Sequence, residues 1–322
     1  MRLLEEPIVL ILKLALGDPI YMNVGRYIWM NGKMIPSDDA KVHILTHSLH
    51  YATGVFEGMR CYNTEKGPAI FRLKDHVRRL FDSAAMYSLK IPYSAGEITE
   101  AIIETVRSSG LQDCYIRPIV YYGHKKMGLE PDPDGVDVSI SCWEWKTKEM
   151  DSPGERAKIS SWLRLDPRVQ PVTAKSTSNY ANALLSLLEA KRSGYDKAIM
   201  LNNKGEISEG SSENIFVVKD GTIITPPPDA GILLGITRDC VFEIVSANGG
   251  SVKERGVTRD DLYRADEIFV SGTAVEIRPI VAVDHVDIGD GSAGLVTQAM
   301  QRFYTNAFMG RDKRFLAWLK YV

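Results

Sequence analysis

The sequence predicts an α+β fold of two domains. Helical and β-like segments follow one another without regular strand–helix–strand alternation and without internal repeats, which argues against a doubly wound parallel sheet. The 322 residues exceed the size that one hydrophobic core usually serves. A polar stretch at 146–156, with Pro153 and Gly154 inside it, therefore predicts a linker between a small domain at 26–145 and a large domain at 157–322.

The small domain opens with a strong hairpin signal. The dipeptide Asn31-Gly32 separates two short β-like runs, which is the pattern of a type I′ turn. Further along, Ser94 and Glu97 have the spacing of a capping box, so a helix is expected to begin after Ser94. Hydrophobic patterning also predicts a helix at 73–89 and strands at 114–122 and 136–145.

The large domain is predicted to mix short strands with longer helices. Apolar spacing closed by Gly194 predicts a helix at 179–192, and another helix is expected from about Ile236 to just before Gly249. A final helix should cover about 295–308. The predicted strands lie at 158–163, 198–201, 215–218 and 267–270.

Composition excludes several classes of function. Apolar residues make up 44% and charged residues 25% of the chain, as in ordinary globular proteins. The formal net charge of -2 gives no electrostatic basis for binding nucleic acid or an anionic membrane. The cysteines are widely spaced and form no CxxC pair, which favours free thiols in the cytoplasm; they are Cys61, Cys114, Cys142 and Cys240.

Residues 1–25 are predicted to be an extension outside the fold. The apolar run from Ile8 to Leu16 resembles the core of a signal peptide, but Lys13 interrupts it. Glu5 and Glu6 precede it where positive charge is expected, and the run is too short to span a membrane. We therefore expect neither secretion nor membrane insertion.

Lys175 is the candidate covalent ligand. It lies among small polar residues in Thr173–Tyr180, directly before a predicted helix. An isolated lysine is more often a solvated loop residue. Here the uncharged neighbours and the helix start favour a pocket that lowers the pKa of the amine, so that the amine can form an imine.

Two carboxylates compete for a second role. Glu209 and Glu213 lie in a Gly/Ser-rich turn between two β-like runs, and their spacing does not decide between them. A carboxylate that keeps a pyridine nitrogen protonated, together with an imine-forming lysine, is the minimum equipment for pyridoxal 5′-phosphate (PLP) chemistry. The sequence therefore predicts PLP as the cofactor.

Two glycine-containing segments could bind the cofactor's phosphate. Gly235 precedes Ile236 and Thr237 at a predicted helix start, where free N–H groups and the helix dipole attract anions. The segment Ser271–Thr273, at the end of a predicted strand, offers a second set of backbone donors. Either segment alone is a weak signal.

A zinc site is the main rival interpretation. His43, His47 and His50 would share one face of a helix, and three histidines can hold a catalytic zinc. However, no flanking carboxylate supplies a general base, and the following residues read as a strand leaving a turn. We therefore expect no metal.

Arginines supply the remaining candidate cations. Arg78 and Arg79 are adjacent on a predicted helix, where one of them should be solvated. Arg117 lies within a β-like run between apolar residues, so it is expected to meet an anion.

Several motifs in one order make the chain resemble the fold-type IV PLP enzymes, and closely the branched-chain amino acid aminotransferases. The resemblance runs from about Tyr27 to the last helix. The motifs are His50-Tyr51 through Val55–Arg60, His76-x-x-Arg79-Leu80, Lys175 through Asn179-Tyr180, Ser208–Gly210 through Glu213-Asn214, Gly235–Arg238 and Ser271–Ala274.

The resemblance implies a fold like that of the D-amino acid aminotransferases, with PLP between the two domains. Lys175 would form the imine and move the proton, Glu209 would pair with the pyridine nitrogen, and Tyr180 would bind the phenolic oxygen. The phosphate would be bound by Arg79, Ile236, Thr237 and Thr273. The histidines would then be structural.

The resemblance also implies a substrate pocket. Tyr115 and the amides of Thr273 and Ala274 would take the α-carboxylate, and Arg117 would take the γ-carboxylate of glutamate. The remaining pocket residues would be Tyr51, Phe56, Gly58, Leu129 and Trp145. Tyr51 and Leu129 would come from a neighbouring subunit, which implies at least a homodimer.

The implied reaction is transfer of the amino group of L-leucine, L-isoleucine or L-valine to 2-oxoglutarate. D-amino acid aminotransferases, aminodeoxychorismate lyases and R-selective amine transaminases share the scaffold with other residues at these positions. The chain departs from the family after Trp145, where Lys146–Glu149 replaces a usual Gly-Ala-Tyr stretch. A zinc hydrolase and a non-catalytic PLP-binding protein are the alternatives from other classes.

Overall fold

The computed structural model describes residues 23–147 and 154–322, and its helices and strands form the predicted α+β fold. The predictions that concern residues 1–22 and 148–153 lie outside these residues. Asn23–Gly25 were expected outside the fold, but they lie beside a strand of the first sheet. The N–H of Gly25 donates to Cys142 O (2.8 Å), and Val24 forms an isolated bridge with Trp143.

The first sheet occupies the small domain. Its strands are β1 (Tyr27–Met30), β2 (Lys33–Pro36), β3 (Gly54–Phe56), β4 (Met59–Thr64), β5 (Gly67–Phe71), β6 (Cys114–Tyr122), β7 (Val136–Glu144) and β17 (Leu319–Tyr321). They run in the order β17-β5-β4-β6-β7-β1-β2, with β3 paired to β6. Asn31 and Gly32 both have positive φ, 48° and 87°, which confirms the predicted hairpin turn.

Helices cover one face of this sheet. They are α1 (His47–Tyr51), α2 (Leu73–Met86) and α3 (Ala95–Ser109). The capping box of Ser94 and Glu97 is confirmed at the start of α3. The α2 helix ends at Met86 rather than at the predicted residue 89, because Ser88 turns the backbone to φ 55°. Apolar side chains of α2 and α3, including Leu80 and Ile102, pack on β4, β6 and β7.

The second sheet forms the large domain. Its strands are β8 (Glu155–Ile159), β9 (Lys197–Leu201), β10 (Ile207–Gly210), β11 (Asn214–Lys219), β12 (Thr222–Thr225), β13 (Val252–Glu254), β14 (Glu267–Gly272), β15 (Glu276–Val283) and β16 (Val286–Asp287). They run in the order β10-β9-β8-β15-β14-β11-β12-β13, with β16 paired to β15. The helices of this domain are α4 (Asn179–Arg192), α5 (Ile236–Ala247), α6 (Arg259–Tyr263) and α7 (Leu295–Phe308).

The strand predicted at 158–163 is misplaced. The β8 strand begins at Glu155, inside the predicted linker, and ends at Ile159. The chain leaves the sheet there because the carboxylate of Glu189 on α4 accepts hydrogen bonds from Ser160 Oγ (2.6 Å) and the N–H of Ser161 (3.0 Å).

The two domains share part of their packing. The β17 strand returns the chain's last residues to β5 of the first sheet. Tyr62 of the first sheet stacks on Phe308 of α7, with ring centroids 3.9 Å apart. The division into domains therefore stays a prediction, with the C-terminal strand joined to the small-domain sheet. None of the helices in residues 23–147 and 154–322 combines the length and apolar composition needed to cross a membrane.

Candidate active site

A cleft lies where side chains from the predicted small and large domains meet. The small domain contributes Arg79 from α2. The large domain contributes the loop before α4, the β10–β11 turn, the start of α5 and the turn after β14. The predicted cofactor residues on its walls are Arg79, Lys175, Tyr180, Glu209, Ile236, Thr237 and Thr273.

Lys175 is fixed through its backbone to the small domain. Its carbonyl accepts from Phe56 N (2.9 Å) and its N–H donates to Ser83 Oγ (3.0 Å). Its Nζ donates to the hydroxyl of Tyr180 (2.7 Å) on the first turn of α4. The backbone of Lys175 is thus held in place, and the amine is the free end of its side chain.

The two competing carboxylates have different surroundings. Glu209, on β10, accepts at Oε2 from Leu233 N (3.0 Å) and Asn214 Nδ2 (3.1 Å). Burial raises the pKa of Glu209, and the nearby guanidinium of Arg164 opposes this rise. Glu213 binds Lys197 Nζ (2.5 Å) and so already has a cation of its own.

The start of α5 is open to an anion. Gly235 precedes the helix, and no side chain caps the first turn. A Cβ at Gly235 would lie 2.0 Å from Asn214 Oδ1, so the close packing of Asn214 against this backbone requires glycine. The turn at Ser271–Thr273 lines the same cleft, and Ser271 Oγ is buried without a hydrogen-bond partner among the described residues. Free N–H groups at a helix start favour phosphate.

Arg79, rather than Arg78, faces the cleft. Arg78 is 69% exposed and pairs with Asp75. The Nε and Nη2 of Arg79 donate to the two oxygens of Glu57 (2.6 and 2.9 Å), and Nη1 donates to Leu234 O (2.9 Å). Three of the five guanidinium N–H groups are used in this way, which leaves two for an anion.

Glu57 is enclosed beneath Arg79. It is fully buried, and His76 Nδ1 lies 2.6 Å from its Oε2. Burial by itself raises the pKa of Glu57, but Arg79 and His76 outweigh it and hold the pKa well below its ordinary value of 4.5. Burial also lowers the pKa of His76. Glu57 therefore stays ionised at neutral pH and orients Arg79.

Residues of the predicted substrate pocket, named the second pocket, cluster around Arg117 and Phe56 beside Lys175. The guanidinium of Arg117 lies over the rings of Phe56 (4.5 Å) and Tyr115 (5.3 Å), and Trp145 packs against Tyr115 (5.4 Å). The Nε of Arg117 is buried without a hydrogen-bond partner among the described residues. A Cβ at Gly58 would lie 1.8 Å from the hydroxyl oxygen of Tyr115, so the glycine makes room for this ring.

Tyr51 and Leu129 do not line the cleft of their own chain. They lie on the surface, 39% and 84% exposed. The imidazole of His47 contacts the helix of Tyr51 and the loop of Leu129. His47 precedes Tyr51 on α1, and its Nε2 lies 2.8 Å from the carbonyl oxygen of Gly128. Ala274 is half-buried and directly follows Thr273 at the cleft.

The histidines do not form a metal site. His47 Nδ1 contacts Thr53 Oγ1 (2.8 Å), His50 contacts Ile44 O (2.9 Å), and His43 stacks on His124 (4.9 Å). Within the part of the chain that the structure describes, no group of three or more His, Cys, Asp or Glu side chains is arranged to hold a metal ion.

Sequence reasoning did not single out Arg164, which lies beside Glu209. Its Nε is 2.8 Å from Glu209 Oε1. The available signal was a single arginine between Leu163 and Leu165, the same pattern that identified Arg117.

Comparison with known proteins shows the family to which this chain belongs. The family model described as amino-transferase class IV matches residues 54–283. The branched-chain-amino-acid aminotransferase of Salmonella typhimurium is 43% identical over 297 residues, 91% of this chain and 96% of that protein.

Solved structures of branched-chain amino acid aminotransferases are also similar to this chain. The crystal structure of the Escherichia coli protein is 42% identical, with a TM-score of 0.89, and covers 92% of this chain and 99% of the other. The structure from Thermobaculum terrenum, in its PLP-form, is 34% identical, with a TM-score of 0.87, and covers 92% of this chain and 98% of the other.

Replacing Gly58 by alanine should displace Tyr115. The new methyl would overlap the hydroxyl oxygen, so we expect a loss of about 1–3 kcal/mol in the free energy of unfolding, measured in urea. Gly96→Ala is the matched control, since the nearest heavy atom to its new Cβ is Ser94 Oγ at 3.8 Å. Equal stability of the two variants would contradict the crowding at Gly58.

Glu57→Gln should destabilise the protein in a pH-dependent way. Removing one partner of a buried ion pair costs about 3–5 kcal/mol. Because the folded-state pKa of Glu57 is depressed, its stabilising charge is fully present above about pH 4.5 and is lost as the pH falls further. The difference in unfolding free energy from the wild type should therefore shrink below that pH.

Urea unfolding between pH 3 and pH 7 measures this difference. Glu104→Gln is the control, because Glu104 is half exposed and contacts Arg107 and Ser108 on the surface of α3. A gap between Glu57→Gln and wild type that stays constant across this range would show that the charge of Glu57 is not responsible.

Proposed function

The chain belongs to the class IV aminotransferase family, and we propose that it uses PLP to move the amino group of L-leucine, L-isoleucine or L-valine to 2-oxoglutarate. The products are branched 2-oxo acids and L-glutamate. The observation that carries the proposal is the contact of the Arg117 guanidinium with the ring of Phe56 beside Lys175. One pocket then offers both an apolar wall for an alkyl chain and a cation for a carboxylate.

The charges of the cleft fit PLP from end to end. The amine of Lys175 suits its aldehyde, and the carboxylate of Glu209 suits a protonated pyridine nitrogen. The two unused N–H groups of Arg79 suit its phosphate, together with Ile236 and Thr237 at the uncapped start of α5 and with Thr273. When bound, PLP withdraws electrons from the substrate's Cα and makes its C–H bond acidic.

Lys175 is the proton carrier of the reaction. With the cofactor bound, its amine would take the proton from the substrate's Cα and return it on the cofactor side. The hydroxyl of Tyr180, 2.7 Å from Nζ, orients the amine and is also the donor for the cofactor's phenolic oxygen. Glu209 keeps its position because two N–H groups hold Oε2.

The second pocket selects the substrates. Tyr115 and the backbone amides of Thr273 and Ala274 bind the α-carboxylate, while Phe56 and Trp145 surround the alkyl chain. Arg117 binds the γ-carboxylate of glutamate or 2-oxoglutarate. Both half-reactions use this one pocket, so the first product leaves before the second substrate enters.

Tyr51 and Leu129 complete the pocket of a second copy of the chain. Both are exposed in their own subunit, which supports a homodimer or a higher homo-oligomer with shared active sites. The four cysteines are buried free thiols, and this supports a reducing compartment, the cytoplasm.

The purified protein tests the proposal directly. Adding L-leucine to the PLP-loaded protein should convert the absorption spectrum to that of the pyridoxamine form. Borohydride reduction before that addition should abolish the conversion and fix the cofactor on Lys175, as mapped by mass spectrometry. A protein that binds PLP but does not react with L-leucine would not be a branched-chain aminotransferase.

Lys175→Ala should retain PLP through the phosphate contacts but lose at least about 10³-fold in the rate of the leucine half-reaction, because the amine proposed to move the proton is removed. Stopped-flow absorbance measures this rate. The control is Lys191→Ala, at the exposed end of α4. Turnover at the wild-type rate in Lys175→Ala would mean that a different lysine acts.

Arg117→Ala should raise the KM for 2-oxoglutarate about 10- to 100-fold, since a charge-assisted contact with its γ-carboxylate is lost. The KM for leucine should change much less, because only the contact with the Phe56 ring is removed. Steady-state kinetics with each substrate measure both values, with the exposed Arg78→Ala as control. Equal losses for the two substrates would rule out the assigned role.

A further inference from the structure

Arg164 forms a buried ion pair with Glu209. It follows β8 in a loop that is tied to β9 by a hydrogen bond from Arg164 N to Leu201 O (2.8 Å). Its Nε lies 2.8 Å from Glu209 Oε1, and the two side chains are only 7% and 6% exposed. Both line the cleft that contains Lys175.

The pair is a contact of charges rather than an aligned hydrogen bond. The Nε–H of Arg164 has no hydrogen-bond acceptor among the described residues. The other oxygen of Glu209 accepts from two neutral groups, Leu233 N and Asn214 Nδ2. A carboxylate offers about four acceptor positions, so Glu209 keeps room for a further donor while a full positive charge acts on it.

Arg164 is the cation that most favours the ionised form of Glu209. Burial raises the pKa of Glu209, and Arg164 is the strongest opposing influence, ahead of Leu233 N–H and Lys175. Glu213 acts in the same direction as burial, but it is paired with Lys197. Without Arg164, the two hydrogen-bond donors to the carboxyl group would be neutral, and Lys175 would be the next cation in order of influence.

We propose that Arg164 is a positioning residue that fixes where the proton lies between Glu209 and the ring nitrogen of the cofactor. The inference rests on the proposed function. One proton shared by a carboxyl group and a pyridine has two arrangements, carboxylate with pyridinium or carboxylic acid with neutral pyridine. The number of protons is the same in both. A buried cation beside the carboxyl group favours the first, because it stabilises negative charge there.

This arrangement matters because a protonated ring withdraws electrons more strongly than a neutral one. The role differs from that of a residue which only shapes the loop. A structural residue would change stability or affinity, whereas Arg164 sets the protonation state of a group that it does not touch.

The test uses PLP labelled with ¹⁵N at the ring nitrogen, bound to the full-length protein and observed by NMR. Arg164→Gln removes the charge but keeps an amide that can reach the carboxylate. Its ¹⁵N resonance should move from the pyridinium range towards that of neutral pyridine. The leucine half-reaction should slow at least about tenfold, the equivalent of one pKa unit.

Two further variants separate charge from shape. Arg164→Lys keeps the charge and should keep most of the wild-type ¹⁵N shift. Arg168→Gln is the matched control, because Arg168 lies in the same loop but is 80% exposed and pairs with Asp166. An unchanged ¹⁵N shift in Arg164→Gln, or equal displacement in the Gln and Lys variants, would overturn the proposal.

A variant that loses PLP is still informative. Arg164→Gln and Arg164→Met would then be compared with wild type for binding of an analogue in which carbon replaces the ring nitrogen. Weakened binding of PLP with normal binding of the analogue supports the proposal, and equal loss of both overturns it. If wild type binds PLP but does not react with L-leucine, the proposed function fails while the ¹⁵N comparison still reports on Arg164.

Discussion

The carboxylate of Glu57 is withdrawn from water between Arg79 and His76, and the cleft is arranged around this contact. A buried carboxylate costs several kcal/mol unless cations and hydrogen bonds compensate for its lost hydration. Arg79 therefore cannot swing into solvent. Because its third hydrogen bond reaches Leu234 O, just before α5, the same side chain joins α2 of the small domain to the helix start of the large domain. The guanidinium of Arg79 is therefore held in a fixed position at the cleft.

The neighbours of Glu57 extend this arrangement. Phe56 ends β3, and Glu57 and Gly58 lie in the connection between β3 and β4, where the three residues make three different contacts. Phe56 pairs through its N–H with Lys175 O and stacks under Arg117. Gly58 has no side chain, and the hydroxyl of Tyr115 occupies the space that a Cβ would take. These three neighbouring residues thus connect the loop of Lys175, the guanidinium of Arg79 and the second pocket.

The sequence predicted what depends on local patterns. The dipeptide Asn31-Gly32 predicted the hairpin turn, and Ser94 predicted the start of α3. Both predictions succeeded because a turn and a helix cap each depend only on neighbouring residues. The fold also gathers the predicted Lys175 and Glu209 into one cleft. Strand β15 was missed because it contains Pro279, which cannot donate to a sheet. Arg164 was missed because its importance comes from a residue on another strand.

In the proposed dimer, a second copy of the chain would complete the second pocket. Arg117, Phe56 and Tyr115 supply one side, yet the apolar residues that the resemblance assigns to the other side, Tyr51 and Leu129, lie on the surface of the same chain. Leaving Leu129 in water forfeits the gain of about 25 cal/mol per Å² that burial would give. His47 joins the helix of Tyr51 to the loop of Leu129, so the two would enter a second copy as one rigid unit. In the proposed dimer, subunit association and substrate recognition therefore depend on the same apolar contact.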